Sequence, residues 1–424
     1  TLSSNVQTIG GTIAEGGLQL VDGVSYLLAS QLFLSAWTTL SVAAGATVYA
    51  LPPALGGVAP AIVVEKAASI VALGTASKPI TFTTILAEAA LDDTSVVVTD
   101  SSTTTGSAKA LGKTGKWGGL ILLGDAPTNK PVTQEVEGIT GKTYGGSDPL
   151  DSSGTLQYVR VWHGGAVIGA DNEINGITFA GVGSGTTVDH CEVAYNADDG
   201  FEFFGGTVNV KYLSVLLGND DSFDTDQGYQ GKGQFLFTML GTTGDHGTEM
   251  DSGKAGSDIT LNAQPRSHPQ FYHMTIIGPG DVSGSKDELM HLNDATGGKF
   301  GNLILTTNGG AGTGIYIEKC STALTITQTM PAAGTSIGTT GGAASEGYLY
   351  IAPNNIIHVA AGATKTELAA PCSFSGGLAA VTSDPALRQP DVSAANVDPR
   401  PACDSVRPRP NKPSARPHPR AIKA

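Results

Sequence analysis

The strongest constraint on this chain is a repeat. The stretch NADDGFEFFGG (196–206) returns 22 residues later as GNDDSFDTDQG (218–228), pairing Asp198 with Asp220, Asp199 with Asp221, Phe201 with Phe223 and Glu202 with Asp224. Just upstream, Val188, Cys191 and Val193 map onto Val210, Leu213 and Val215 at the same offset. Near the start, LSVAAGATVYA (40–50) laid on IVVEKAASIVA (62–72) superposes Val42 on Val64, Gly45 on Ala67 and Val48 on Ile70, again 22 apart. A period of this length, written in short Val/Ile/Leu runs broken by Gly, Asn and Asp, predicts one turn of a right-handed parallel β-helix with two or three short strands per turn. Leucine-rich repeats have a similar length, but their Leu/Asn signature is absent.

Composition agrees. The 424 residues include 57 glycines, with 6 % aromatic and 15 % charged residues, and lack the long Glu/Lys/Leu/Arg stretches that favour helices. Further strand runs, LQYVRVWHGG (156–165), QFYHMTIIG (270–278) and GKFGNLILTT (298–307), fall at irregular spacing. That spacing predicts lateral loops inserted between turns, at 92–116, 127–152, 241–267 and 332–345. The expected architecture is all-β: a single solenoid over 1–387 with lateral loops, followed by a Pro-rich basic arm over 388–424. The arm's prolines exclude a central strand and favour an extended, polyproline-like form.

Charge divides along the same line. Residues 1–399 carry 17 basic and 37 acidic side chains, a net of −20, whereas 400–424 carries a net of +6. An acidic body repels nucleic acid and anionic membranes and attracts cations. No run of about 18 apolar residues is present to span a bilayer. The chain opens at Thr1 without Met or a basic, apolar leader, which predicts an exported product whose signal has been removed, acting outside the cell or on its surface. Four cysteines permit three pairings when two bridges form. The expected bridge joins Cys372 to Cys403, tying arm to body, with Cys191 buried as a small apolar residue; no spacing suggests zinc.

The motifs GKWGGLILLG (115–124), NEINGITFAGVGSGTTVDHCEV (172–193), NADDGFEFFGGTVNVKYL (196–213) and DDSFDTDQGYQGKGQF (220–235) closely resemble a family of largely uncharacterised secreted bacterial proteins with a pectate-lyase-like right-handed β-helix. AIVVEKAASIVALGTASKPITFTT (61–84) is similar to that family's first turns. The resemblance covers roughly 40–307 and stops short of the arm. It implies fold and export; it implies no reaction.

In a parallel helix, equivalent residues stack at about 4.8 Å. If Phe201 and Phe223 point inward, Glu202 and Asp224 point outward, with Asp226 on the same side. Two like charges at that separation repel by roughly 1 kcal/mol in water and by more where partly buried. Two offsets are open: hydrogen bonds from turn amides to the Asp side chains, or a Ca²⁺ ion held among Asp198, Asp199, Glu202, Asp220, Asp221, Asp224 and Asp226. No other cofactor is required. A catalytic alternative, glycoside hydrolysis or uronate elimination, would draw on Asp199, Asp221, Asp224 and His246, with Lys211 or Lys232 as a lyase base. The repeat itself favours stacking over catalysis. His163, His190, His273 and His291 read as packed or surface residues, and Trp117 as core or edge.

VAAGAT occurs at 42–47 and again at 359–364, so similar turns are expected near both ends. Together with an arm of opposite charge (Arg400, Arg407, Arg409, Lys412, Arg416, Arg420), this predicts a noncatalytic subunit that docks on copies of itself to form a filament, sheath or adhesive layer. The alternative is a protein that binds or degrades extracellular polysaccharide.

Overall fold

The computed structural model describes residues 5–53, 58–86, 113–166, 173–253, 260–279, 288–307, 312–330, 348–359, 366–374 and 380, with the backbone of 97–99 and 108–110. The arm with its six basic residues, Cys403, the loop at 332–345 and all but Val359 of the second VAAGAT lie outside the described residues.

Every assigned element among these residues is a strand, and no described helix is long and apolar enough to cross a membrane. The strands form a right-handed parallel β-helix with three sheets along its length. One turn shows the plan. Phe201–Phe204 lies in the first sheet, and Asn209–Leu216 then bends to serve the second and third. Phe223–Asp226 returns to the first sheet, with Phe201 paired to Phe223 and Glu202 to Asp224. The predicted stack is present: the Phe201 and Phe223 rings are 5.7 Å apart and 8° from parallel, both fully buried. The core is a column of such residues, including Phe82, Phe179, Phe203, Tyr229 and Phe271. Trp117 is buried as well, its Nε1 donating to the Trp162 carbonyl at 2.8 Å.

The bend between second and third sheets falls on a left-handed residue in turn after turn: Tyr158, His190, Tyr212, Phe235 and His273. A non-glycine residue there carries strain. Here the side chains stack on one another outside the helix, at centroid distances of 4.4, 4.4, 4.9 and 5.1 Å, and the stacking offsets that strain. His190 and His273 thus belong to a packed external ladder. His163 stacks on Tyr195.

Three expectations are corrected. The offset of 22 holds for Leu18 on Leu40 and Tyr26 on Val48, but Leu40 rests on Ile70, 30 residues on, and Val48 on Phe82. Residues 40–50 cross from second to third sheet, whereas 62–72 cross from first to second, so the alignment was one corner out. The segment 241–267 is not simply a loop: Thr248–Met250 is a first-sheet strand, paired with Asp224 and Thr225 on one side and with Met290 to Leu292 on the other. Cys372 bonds to Cys320, not Cys403. Each follows a first-sheet strand, Thr313–Ile317 and Thr366–Leu368, that pair directly, which brings the two Cα atoms within 5.1 Å. Cys191 is free and buried, as expected.

Of the other predicted insertions, one shows a strand pair of its own and one is lateral. Residues 97–99 and 108–110 form a separate antiparallel pair. Residues 127–152 leave the first sheet after Leu120–Leu123 and fold against its outer face.

Candidate metal and carboxylate site

The outer face of the first sheet changes character along the helix axis. One in-register column reads Phe33, Val63, Ile121, Thr178, Glu202, Asp224, Glu249, His291 and Tyr316. The apolar half is covered by Val136, Ile139 and Tyr144 of the lateral segment. The acidic half follows directly, and the same segment reaches its near end: Tyr144 Oη donates to Gln227 Oε1 at 2.5 Å, and Asn129 Nδ2 to the Ser252 carbonyl at 2.6 Å. The acids point outward, as the strand alternation requires, but they are not exposed; Glu202 is 5 % exposed and Asp221 4 %.

A second line of groups precedes the strands. Asp199 Oδ1 accepts the Asp221 backbone N–H at 3.0 Å, and Asp221 Oδ1 accepts the His246 N–H at 2.7 Å, one turn to the next. Turn amides therefore account for part of the acid, and Asp226 likewise accepts the N–H of Gln227. They do not account for Asp224, whose Oδ1 accepts no hydrogen bond. Glu202 receives a short contact from Asn175 Nδ2.

Two imidazoles complete the cluster. His246 Nδ1 lies 2.8 Å from Asp221 Oδ1, with Asp245 and Glu288 at 3.4 and 3.5 Å from Nε2. His291 lies between Glu249, 3.2 Å from Nδ1, and Glu318, 3.4 Å from Nε2, and its ring centroid is 4.9 Å from that of His246. Four triads bring ligand atoms within 4.8 Å of one another: Asp198/Asp199/Asp220, Asp199/Glu202/Asp224, Asp221/Asp245/His246 and His246/Glu249/His291.

The electrostatics follow from burial and crowding. Burial, and then the neighbouring carboxylates, push Asp199, Glu202, Asp224 and Asp251 well above the usual carboxylate range. Burial raises Asp221 to about 7 although His246 pulls against it, and burial together with Glu173 raises Glu137 to about 7. Burial disfavours the His246 cation, but its carboxylate partners, Asp221 foremost, outweigh this and hold it protonated at neutral pH. Glu249 runs the other way: burial opposes its charge, yet the His291 imidazole 3.2 Å away, and then His246, hold it down at about 2.

At the covered end, a polar cavity of about 420 Å³ is lined by Lys130, Glu137, Tyr144, Glu202, Asp226 and Gln227 among others. All seven predicted Ca²⁺ ligands lie along this face, divided between the triads and the cavity. The alternative catalytic set Asp199, Asp221, Asp224 and His246 is also gathered here. Lys211 and Lys232 are not; they line a groove on the outer face of the second sheet. The residues missed from sequence, Glu137, Asp245, Glu249, Asp251, Glu288, His291 and Glu318, come from the lateral segment and from later turns. One trace of them was readable, since Glu249 and Asp251 repeat the acid-x-acid spacing of Asp224 and Asp226.

A family model described as a pectate-lyase like beta helix domain matches residues 11–105 and 93–340. No curated protein and no solved structure matches the chain.

Proposed function

The chain belongs to the pectate-lyase-like β-helix family, and on that premise we propose that it binds acidic polysaccharide outside the cell through divalent cations, Ca²⁺ foremost, held on the acidic face of its first sheet. The observation that carries this reading is Asp224, set in register between Glu202 and Glu249 with one oxygen lacking any hydrogen bond. Successive carboxylates about 4.8 Å apart with too few donors hold each other's charge badly, and a hard cation that takes several oxygens relieves that. Bound cations also reverse the local sign, so that the neighbouring cavity of Glu137, Glu202, Asp226 and Lys130 accepts the carboxylate of a uronate where it would otherwise repel it.

Retention on immobilised polygalacturonate and on a neutral glucan, with CaCl₂ and with chelator, tests the reading. The expected result is retention on the acidic polymer only, only with CaCl₂, and reduced in Asp224→Asn. Cation-independent retention, or retention unchanged in that variant, overturns it. An unsaturated sugar product appearing during the assay turns binding into elimination and makes Lys130 the first base to substitute.

A second reading, assembly of copies end to end, is favoured by the first described strand, Val6–Ile13. It pairs with Ser25–Leu34 on one side, no described residue pairs with its other edge, and six of its eight residues are exposed. Electron microscopy of purified protein and of Thr8→Pro tests this; filaments in the parent alone support it.

A further inference from the structure

We infer that the far end of the acidic face holds a second and chemically different cation site, made by His246, Glu249 and His291 and suited to a zinc-class transition metal. The two triads upstream, Asp198/Asp199/Asp220 and Asp199/Glu202/Asp224, offer oxygen alone, the donor set of Ca²⁺. His246/Glu249/His291 offers two imidazole nitrogens and one carboxylate, all within 4.8 Å of one another. Imidazole suits zinc, copper, iron and nickel and adds little for calcium.

The fold builds this set in a specific way. Glu249 and His291 are paired on adjacent first-sheet strands. His246 stands at the entrance to the same strand as Glu249, and His291 faces it with a ring-to-ring distance of 4.9 Å. The residues are buried or half-buried, with His246 7 % and His291 9 % exposed. Orientation is supplied as well: Asp221 holds His246 Nδ1 at 2.8 Å, the carboxylate–histidine contact found behind metal-bound imidazoles, while Nε2 faces Asp245 and Glu288 at 3.4 and 3.5 Å, oxygens that a metal would displace or share.

The independent indication is His291. Neither of its ring nitrogens completes a hydrogen bond, although Glu249 and Glu318 oxygens lie at 3.2 and 3.4 Å. A buried imidazole with two carboxylates near it and hydrogen-bond geometry to neither is arranged as a ligand is: Glu249 stands on the Nδ1 side with the metal set, and Glu318 on the opposite side, at Nε2, where it can orient the ring. The proposal does not rest on calcium or polysaccharide binding, and the loss of either leaves it standing.

The test uses the whole chain, stripped with chelator and titrated by calorimetry with ZnCl₂ and with CaCl₂, and by visible absorbance with CoCl₂. The expected result is stoichiometric Zn²⁺ binding and a Co²⁺ ligand-field spectrum typical of nitrogen and oxygen donors. Zn²⁺ binding should weaken by at least about 10-fold in His291→Gln and in Glu249→Gln, and Asp198→Asn should leave it unchanged. Circular dichroism confirms that each variant is folded; if His291→Gln is not, Glu249→Gln and His246→Gln decide. Absence of Zn²⁺ binding, or binding and a Co²⁺ spectrum that persist in the folded variants, overturns the site. Loss of Ca²⁺ binding in Asp198→Asn with Zn²⁺ binding intact confirms that the two sites are separate.

Discussion

Glu202 and Asp224 face each other on adjacent rungs of the first sheet, each one residue beyond a phenylalanine of the stacked pair Phe201 and Phe223. The same register that stacks rings inside therefore stacks carboxylates outside. Core packing forces the charges together, and something other than the backbone must hold them.

Replacing Asp224 by Asn removes one charge and supplies an amide donor beside Glu202. In chelator, Asp224→Asn should be more stable than the parent by about 1–3 kcal/mol. CaCl₂ should raise the melting temperature of the parent, and raise that of the variant by less. Thermal melts of both proteins in chelator and in CaCl₂ check this; a variant less stable in chelator contradicts it.

The pH dependence follows from the same crowding. Glu137 and Asp221 reach about 7 when folded, against 4.5 and 3.8 as their ordinary values. A carboxyl whose folded pKa is raised costs stability while both states are ionised, above pH 7, and the cost falls away as pH drops because the folded state takes the proton first. Glu249, held at about 2 against 4.5, contributes stability that is present above 4.5 and lost as pH falls toward 2. The chelated protein should therefore be most stable at roughly pH 5 and less stable at pH 8. Melts across pH should show this slope, and CaCl₂ should flatten its neutral arm. Stability rising from pH 5 to 8 in chelator would falsify the assignment.

Phe223 is fully buried against Phe201. Phe223→Ala leaves a ring-sized cavity in the column and should cost about 3–5 kcal/mol, with Phe223→Leu well below that because most of the volume is kept. Equilibrium denaturation measures both. Equal losses would mean that the stack matters more than the volume it fills.

The fixed offset succeeded where no residue is inserted between rungs. Phe201 over Phe223 and Val193 over Val215 are the 22-residue pairs that the sequence displays. It failed at Val42 and Val64 because all corners of the helix resemble one another: Gly45 and Ala67 are both left-handed, but they turn different corners. The acid column was half legible for the same reason. Glu249 follows Asp224 by 25 residues and His291 follows Glu249 by 42, so a search at 22 reaches neither. The burial of these acids was not legible at all. Their near-end cover comes from 127–152, and a loop lying on a sheet face leaves no periodic trace in sequence.

The bridge between Cys320 and Cys372 spans 52 residues and joins two first-sheet rungs near the end of the described helix. Closing a loop of that size restricts the unfolded chain, so Cys372→Ser should lower stability by about 2–5 kcal/mol. Because each rung contacts only its neighbours, the loss should concentrate in the last turns and leave the Phe201–Phe223 region protected. Hydrogen exchange on parent and variant separates those regions. Cys191 serves as an internal control: burial pushes its thiol up to about 12, and it should resist thiol reagents until the central turns unfold. Peptide mapping without reductant completes the test, since recovery of Cys372 joined to Cys403 would contradict the Cys320 pairing and with it the restraint on these rungs.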